Sequence, residues 1–263
     1  MTARSYLYVP GHRPDRFAKA VASGADAVIL DLEDAVPVPA KDQARADVAA
    51  FAGPAGIWVR INDGERGLAD LDAVAGRVDG VIVPKSTTAR LAVVHDRQPD
   101  VALIALVESA AAFLELPAIA ASAGVRTLAI GEVDLAADLG LGERPPYAAL
   151  WALRMQVVVA CAAAGRDAPL GPVERDVADL DAFGSLVGKL HGAGFGAVQC
   201  IHPTQVPVVN AMLTPTADEV ARAERILAQA EAADGGVFVD DAGRMIDEAV
   251  LRSARRILAR ARP

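Results

Sequence analysis

Residues Ala27 to Val36 read AVILDLEDAV. Four apolar residues, Ala27-Val28-Ile29-Leu30, run straight into three acids, Asp31, Glu33 and Asp34. A short unbroken apolar run of this kind suits a strand buried on both faces, as in a parallel sheet. Acids placed where such a strand leaves the core are costly to bury without partners. The stretch therefore predicts either a polar site at the C-terminal edge of a parallel sheet or a helix cap followed by solvated acids.

The same rhythm recurs along the chain. Strand-like runs occur at Tyr6–Val9, Ala27–Leu32, Ile57–Ile61, Gly80–Pro84, Ala102–Val107, Thr127–Ile130, Pro169–Val173 and Ala197–Ile201. Segments with helical spacing separate them. Phe17, Ala20 and Val21 share one face after the first run, and Ala44, Val48 and Phe51 after the second. Leu68, Leu71 and Val74 follow the third, Leu91 and Val94 the fourth, and Leu180, Phe183, Val187 and Leu190 the seventh. Ser86-Thr87-Thr88 supplies a cap before the helix of the fourth unit. Eight alternating units imply parallel strands with right-handed crossovers. The expected fold class is α/β, a (β/α)8 TIM barrel, with a doubly wound open sheet as the alternative. No GxGxxG follows the first strand and no Walker A motif occurs, which weakens the nucleotide-binding open sheet.

Beyond the eighth unit the pattern changes. Thr216 to Ala233 reads as a charged helix, VFVDDAGRMI as a hairpin turning at Asp241-Ala242-Gly243, and Asp247 to Ala261 as a final helix with Val250, Leu251, Ala254 and Leu258 on one face. Residues 1–213 are thus expected to form the barrel. Residues 214–263 form a helix–hairpin–helix extension, a lid or an oligomerisation arm.

Composition narrows the partners. Hydrophobic residues make up 53% of the 263, enough for a large core, whereas aromatics are only 4%, which disfavours an aromatic binding surface. The formal net charge of −8 argues against nucleic acid and anionic membranes. No run of 18 apolar residues suggests a membrane helix, and no apolar leader precedes Pro10. Cys161 and Cys200 have no metal spacing, and the expected location is the cytoplasm. Cys200, on a strand, reads as core rather than nucleophile.

Barrel enzymes place their chemistry at the C-terminal strand ends. Here those ends carry His12-Arg13, Asp31 with Glu33-Asp34, Arg60, Lys85, Glu108, Glu132 with Asp134, and His202. Carboxylates from strands two, five and six then converge with an arginine and a lysine. Glu108 and Asp134, without sulfur or imidazole partners, suit a hard cation such as Mg2+ or Mn2+. Arg60 offers a planar fork for a carboxylate. A cation with an arginine describes a site for a small oxyacid, where a developing enolate or alkoxide is stabilised.

The motifs YVPGHRPDRFAKA, VILDLEDAV, VRIN, GVIVPK, ALVES, GEVDLAADLG and CIHPTQV, with GRMIDEAVLRSARRIL in the tail, together resemble the citrate lyase β-subunit-like (CitE-like) branch of the HpcH/HpaI aldolase family. The resemblance runs in order from Tyr6 through Val206. It implies a TIM barrel with Mg2+ that reversibly cleaves a 3-hydroxyacyl thioester to an acyl-thioester, such as acetyl-CoA, and an oxo acid. It implies Glu108 and Asp134 as metal ligands, Arg60 as the grip on the oxyacid, and Glu33 and Asp34 as holders of metal-bound waters. Arg13 and Lys85 become contacts to the thioester carrier. Asp247 becomes a catalytic acid reaching a neighbouring subunit, within a homo-oligomer, a trimer or hexamer.

The chain departs from relatives at Gly131-Glu132-Val133-Asp134, where the acid beside the aspartate is shifted one place. Two other substrates stay open: free 2-oxo acids for a metal-dependent aldolase, and an acyl-carrier-protein thioester for a citrate lyase β subunit. A non-catalytic scaffold and Schiff-base chemistry at Lys85 are the further alternatives.

Overall fold

Eight parallel strands close into a barrel in the order of the sequence. The computed structural model describes residues 3–51, 55–142, 147–232, 237–240 and 243–261. The staves are β1 Ser5–Pro10, β2 Ala27–Asp31, β3 Ile57–Arg60, β4 Gly80–Val83, β5 Ala102–Val107, β6 Val125–Ile130, β7 Leu170–Gly171 and β8 Ala197–Cys200. The helices between them are α1 Phe17–Val21, α2 Lys41–Ala50, α3 Gly64–Val74, α4 Thr88–Arg97, α5 Ala110–Leu114, α6 Leu116–Ala121, α7 Glu132–Asp138, α8 Tyr147–Ala163, α9 Leu180–Gly192 and α10 Gln205–Leu213. This is the (β/α)8 barrel, not the open sheet. The seventh run is cut to two paired residues because Pro169 and Pro172 flank Leu170–Gly171, and proline has no N–H to donate to a ladder.

Period-two alternation fills the barrel. Tyr6, Ala27, Ile29, Trp58, Ile82, Ile104, Leu106, Ala129, Leu170 and Ala197 form one buried cluster. Tyr6 and Trp58 meet edge-on at 6.1 Å. Trp58 is seated by Gly80, its partner across the ladder, where a Cβ would lie 2.3 Å from the indole. Intervening residues such as Leu7, Val28, Leu30, Val59, Val81, Leu103, Ala105, Leu128 and Cys200 are buried too. A barrel strand is covered by side chains inside and helices outside, so both faces are apolar.

The helices bury the stripes their spacing predicts: Ala44 and Val48 on α2, Leu71 and Val74 on α3, Leu91 and Val94 on α4, Phe183, Val187 and Leu190 on α9. Side-chain caps set their starts. Asp63 accepts from Gly64, Thr87 from Arg90, Ser109 from Ala112, and Asp179 from Ala182.

The chain forms two compact units, Ala3–Ala211 and a C-terminal one beginning at Met212. The second unit contains α11 Ala217–Ala232, a two-stranded antiparallel ribbon of β9 Phe238–Val239 and β10 Met245–Ile246, and α12 Glu248–Ala261. Ala233, Asp241 and Ala242, expected at the helix end and in the turn, lie outside the described residues. Thr216 and Glu219 form a reciprocal capping box at the start of α11. Ala223, Ile226, Ile246, Leu251 and Ala254 make this unit's own core.

Candidate active site

The inward register that fills the barrel also builds its mouth. Moving two residues on from core positions takes Tyr6 to Tyr8, Ile29 to Asp31, Trp58 to Arg60, Leu106 to Glu108, Ala129 to Gly131 and Ala197 to Gln199. All six line a single cavity of about 430 Å³, together with Asp34, Val133, Asp134, Val173 and Ile201. The site is the polar top layer of the barrel's own side-chain stack.

Glu108 sits just past β5 and is 4% exposed. Its Oε1 accepts the Lys85 backbone N–H at 2.7 Å. Lys85 takes φ +49° to aim that donor, a left-handed conformation that costs a non-glycine residue on the order of 1 kcal/mol. The other side of the carboxylate lies against Gly131, where a Cβ would fall 2.7 Å from both Oε2 and Cβ of Glu108. Burial, reinforced by the charges of Glu33 and Asp134, pushes the Glu108 carboxyl up to about 8.

Arg60 is held as a fork on Asp31, Nε to Oδ1 at 2.7 Å and Nη2 to Oδ2 at 2.6 Å. Its Nη1 lies 3.0 Å from Glu33 Oε2 and 3.8 Å from Asp34 Oδ2. The guanidinium also stacks 5.1 Å over the Tyr8 ring. Asp31 further accepts the backbone N–H groups of Glu33 and Ala35, so it anchors both the arginine and the loop after β2. Glu33 is buried between Arg60 and Lys85, whose Nζ is 3.4 Å from Oε1. Burial raises the Glu33 carboxyl, against the pull of Arg60.

Five acidic side chains, those of Asp31, Glu33, Asp34, Glu108 and Asp134, thus gather around the mouth with three cations, Arg60, Lys85 and Lys41. That excess favours a bound cation. Among the described residues no three His, Cys, Asp or Glu side chains are grouped to hold a metal by themselves. A cation here would take Glu108 and Asp134 and complete its shell with water or ligand oxygens, a hard-donor set. The buried, charge-resisting Glu108 fits that role, because a cation restores the carboxylate that burial disfavours.

The structure distributes the remaining expected residues. Asp134 lies in the first turn of α7 rather than at a strand end. Asp34 is at the rim with its side chain 60% exposed. Arg13 pairs with Asp15 and does not line the cavity. Asp247 belongs to the C-terminal unit, where its Oδ1 accepts the Val250 N–H at 3.0 Å and caps α12. His202 bonds Thr204, as a loop residue. Burial lifts the Cys200 thiol to about 12, as suits a core position.

Three groups were missed from sequence. Tyr8 donates to Gln199 Oε1 at 2.9 Å, and Gln199 Nε2 donates to the carbonyls of Ile130 and Gly171. Burial raises the Tyr8 phenol and keeps it a neutral donor. Lys41 donates to the Leu32 and Glu33 carbonyls and to Asn62 Oδ1, while Asp70 accepts from the Asn62 backbone and amide. This network ties the exits of β2 and β3 together. The third is Arg154 of α8, whose guanidinium forks onto Glu132, the displaced acid already expected at the mouth.

The family profile described as HpcH/HpaI aldolase/citrate lyase matches residues 4–203. The chain belongs to this family. A citrate lyase subunit beta-like protein of Mycobacterium tuberculosis is 36% identical over 97% of this chain and 94% of its own length. A (3S)-malyl-CoA thioesterase of Cereibacter sphaeroides is 34% identical over 98% of this chain and 94% of its own. Among solved structures, protein CitE from M. tuberculosis in complex with magnesium, acetoacetate and coenzyme A superposes with a TM-score of 0.83 at 32% identity, covering 98% of this chain and 97% of that one. The match thus extends past the barrel into the C-terminal unit.

In this HpcH/HpaI member the seat of Glu108 is testable directly. Gly131→Ala is expected to force Glu108 off its position, since the new Cβ meets the root of that side chain and not only its tip. The overpacking should cost about 1–3 kcal/mol. Divalent-cation affinity should fall with it, by calorimetric titration with Mn2+. Unchanged Mn2+ affinity would show that the close contact does not position Glu108.

Proposed function

We propose that the protein is a Mg2+-dependent carbon–carbon lyase that reversibly cleaves a 3-hydroxyacyl-CoA thioester, of malyl-, citramalyl-, citryl- or 3-hydroxy-3-methylglutaryl type, into an acyl-CoA and an oxo acid. The observation that carries the reading is the buried Glu108 beside Asp134 in a cavity that also contains Arg60. The CitE structure with magnesium and coenzyme A supports the cofactor and the thioester. Coenzyme A is favoured over an acyl-carrier protein because the CitE structure that matches 98% of this chain contains coenzyme A.

Glu108 and Asp134 hold the cation in this scheme, and when bound it lowers the pKa of the substrate hydroxyl and stabilises the oxyanion of the enolate. Arg60, fixed by Asp31, presents its remaining edge to the substrate carboxylate. Asp34 at the rim takes the hydroxyl proton through a water. The C–C bond then breaks, its electron pair passing to the thioester α-carbon as the hydroxyl carbon becomes the oxo acid's carbonyl. Asp247 of a neighbouring subunit gives that α-carbon its proton. Residues 214–263 serve as the lid that carries it, within a trimer or hexamer.

A second reading follows from the (3S)-malyl-CoA thioesterase relative: hydrolysis of the thioester in place of carbon–carbon cleavage. One panel separates the readings. Malyl-, citramalyl-, methylmalyl-, citryl- and hydroxymethylglutaryl-CoA are incubated with Mg2+, beside their free acids. A lyase yields acyl-CoA and oxo acid, whereas a thioesterase yields free coenzyme A and intact hydroxy acid. Turnover of the free acids alone would favour the aldolase. Activity that survives EDTA and is lost to borohydride with substrate would replace the cation by a Schiff base on Lys85.

A further inference from the structure

Helix α7 carries Asp134 and is clamped at both ends. At its start, Glu132 accepts two hydrogen bonds from Arg154, Nε at 2.5 Å and Nη2 at 2.7 Å. Arg154 is 5% exposed, and its guanidinium lies 5.8 Å from the Trp151 ring centre. A buried fork of this kind fixes direction as well as distance, because the planar guanidinium admits one approach of the carboxylate. At the far end of α7, Asp138 Oδ2 accepts the Ala110 backbone N–H at 2.7 Å. Ala110 lies two residues after Glu108. Asp134 and Asp138 are four apart and so share one face of the helix.

We infer that Arg154 and Asp138 are positioning residues that set the separation of the Glu108 and Asp134 carboxylates for a divalent cation. Asp138 links the two carboxylate-bearing segments directly, from α7 to the backbone after β5. Arg154 fixes the rotation of α7 from outside the cavity, through Glu132. The shifted acid of the Gly131-Glu132-Val133-Asp134 stretch thereby gains a role: at position 132 it turns toward α8 and locks the helix. Partners that orient carboxylate ligands commonly change metal affinity about 10- to 100-fold when removed.

The inference rests on the reading of Glu108 and Asp134 as the cation's ligands, and its test keeps the two apart. Mn2+ binding to metal-free protein is measured by calorimetry, with thermal unfolding in EDTA as the check on folding. Asp138→Ala is expected to weaken Mn2+ about tenfold with little change in unfolding, since Asp138 is exposed. Asp138→Asn retains an oxygen for the Ala110 N–H and should restore most of that loss. The double variant Glu132→Gln with Arg154→Met, which leaves no unpaired buried charge, should also weaken Mn2+ about tenfold.

Glu108→Gln and Asp134→Asn serve as references. If they abolish Mn2+ binding while the Asp138 variants and the double variant bind as wild type, the positioning inference falls and the cation site stands. If the two reference variants bind Mn2+ normally, the cation reading falls and takes the inference with it.

Discussion

Glu108→Gln is expected to abolish turnover while making the metal-free protein more resistant to unfolding at high pH. Glutamine keeps the shape of the side chain and an oxygen for the Lys85 N–H, so the left-handed turn at Lys85 retains its partner. It removes the negative charge that would hold a cation. Losing several kcal/mol of oxyanion stabilisation corresponds to a rate loss of about 10³-fold or more. The stability effect runs the other way. The folded-state carboxyl is raised to about 8 from an ordinary 4.5, so the native protein holds a proton there that the unfolded chain has released. Wild-type stability must then decline as pH rises from about 4.5 to about 8 and level off above. Glutamine has no such decline. In EDTA the variant should therefore melt above wild type at pH 9, with the gap closing toward pH 5. The same proton competes with the cation, so Mn2+ affinity of the wild type should rise toward pH 8 and flatten beyond it. A variant that melts below wild type at pH 9 would show that Glu108 is not a strained buried charge.

The contrast between strands and site shows what a sequence can reveal. The barrel was legible because each stave is a separate short apolar run, and both faces of a barrel strand need the same kind of residue. The acids at the mouth were legible for the opposite reason, since Asp31, Glu33 and Glu108 interrupt that pattern at strand ends. Tyr8 and Gln199 were not. Within SYLYVP and AVQC they read as ordinary strand residues, and only the closed register shows that they top the inward-facing stack. Arg60 was legible as a cation at the mouth, but not its commitment to Asp31, which depends on the direct pairing of those two positions across β2 and β3. Arg154 was hidden because it sits, with Gln156, in an otherwise largely apolar helix, and such a helix reads as core-facing. Its partner lies 22 positions away on α7. Lys41 escaped because its acceptors, the adjacent Leu32 and Glu33 carbonyls and the Asn62 side-chain oxygen, meet only once β2 and β3 are side by side.

Asp247→Asn should leave the fold and the affinity for substrate nearly intact and lower kcat by about 10²- to 10⁴-fold, the range expected for loss of a general acid or base. The structure makes asparagine the informative replacement. Asp247 caps α12 through the Val250 N–H, and asparagine caps a helix about as well as aspartate. Alanine would remove the cap and cost about 1 kcal/mol, mixing instability with chemistry. A kcat loss with KM retained in the asparagine variant therefore isolates proton transfer. The transfer can be read without cleavage: in deuterated water the wild type should exchange the α-protons of acetyl-CoA, and the variant should not. The origin of the aspartate can be read by mixing. Chains carrying Asp247→Asn and chains carrying Glu108→Gln are each inactive by this account. If Asp247 serves a neighbour's cavity, re-associated mixtures regain activity at about a quarter of the sites, since random assortment pairs an intact Glu108 with an intact neighbouring Asp247 that often. If every site instead relies on its own Asp247, neither parent chain holds a complete site and the mixture stays inactive. Wild-type kcat and proton exchange in Asp247→Asn would reduce the residue to a helix cap and leave the proton to another group at the mouth.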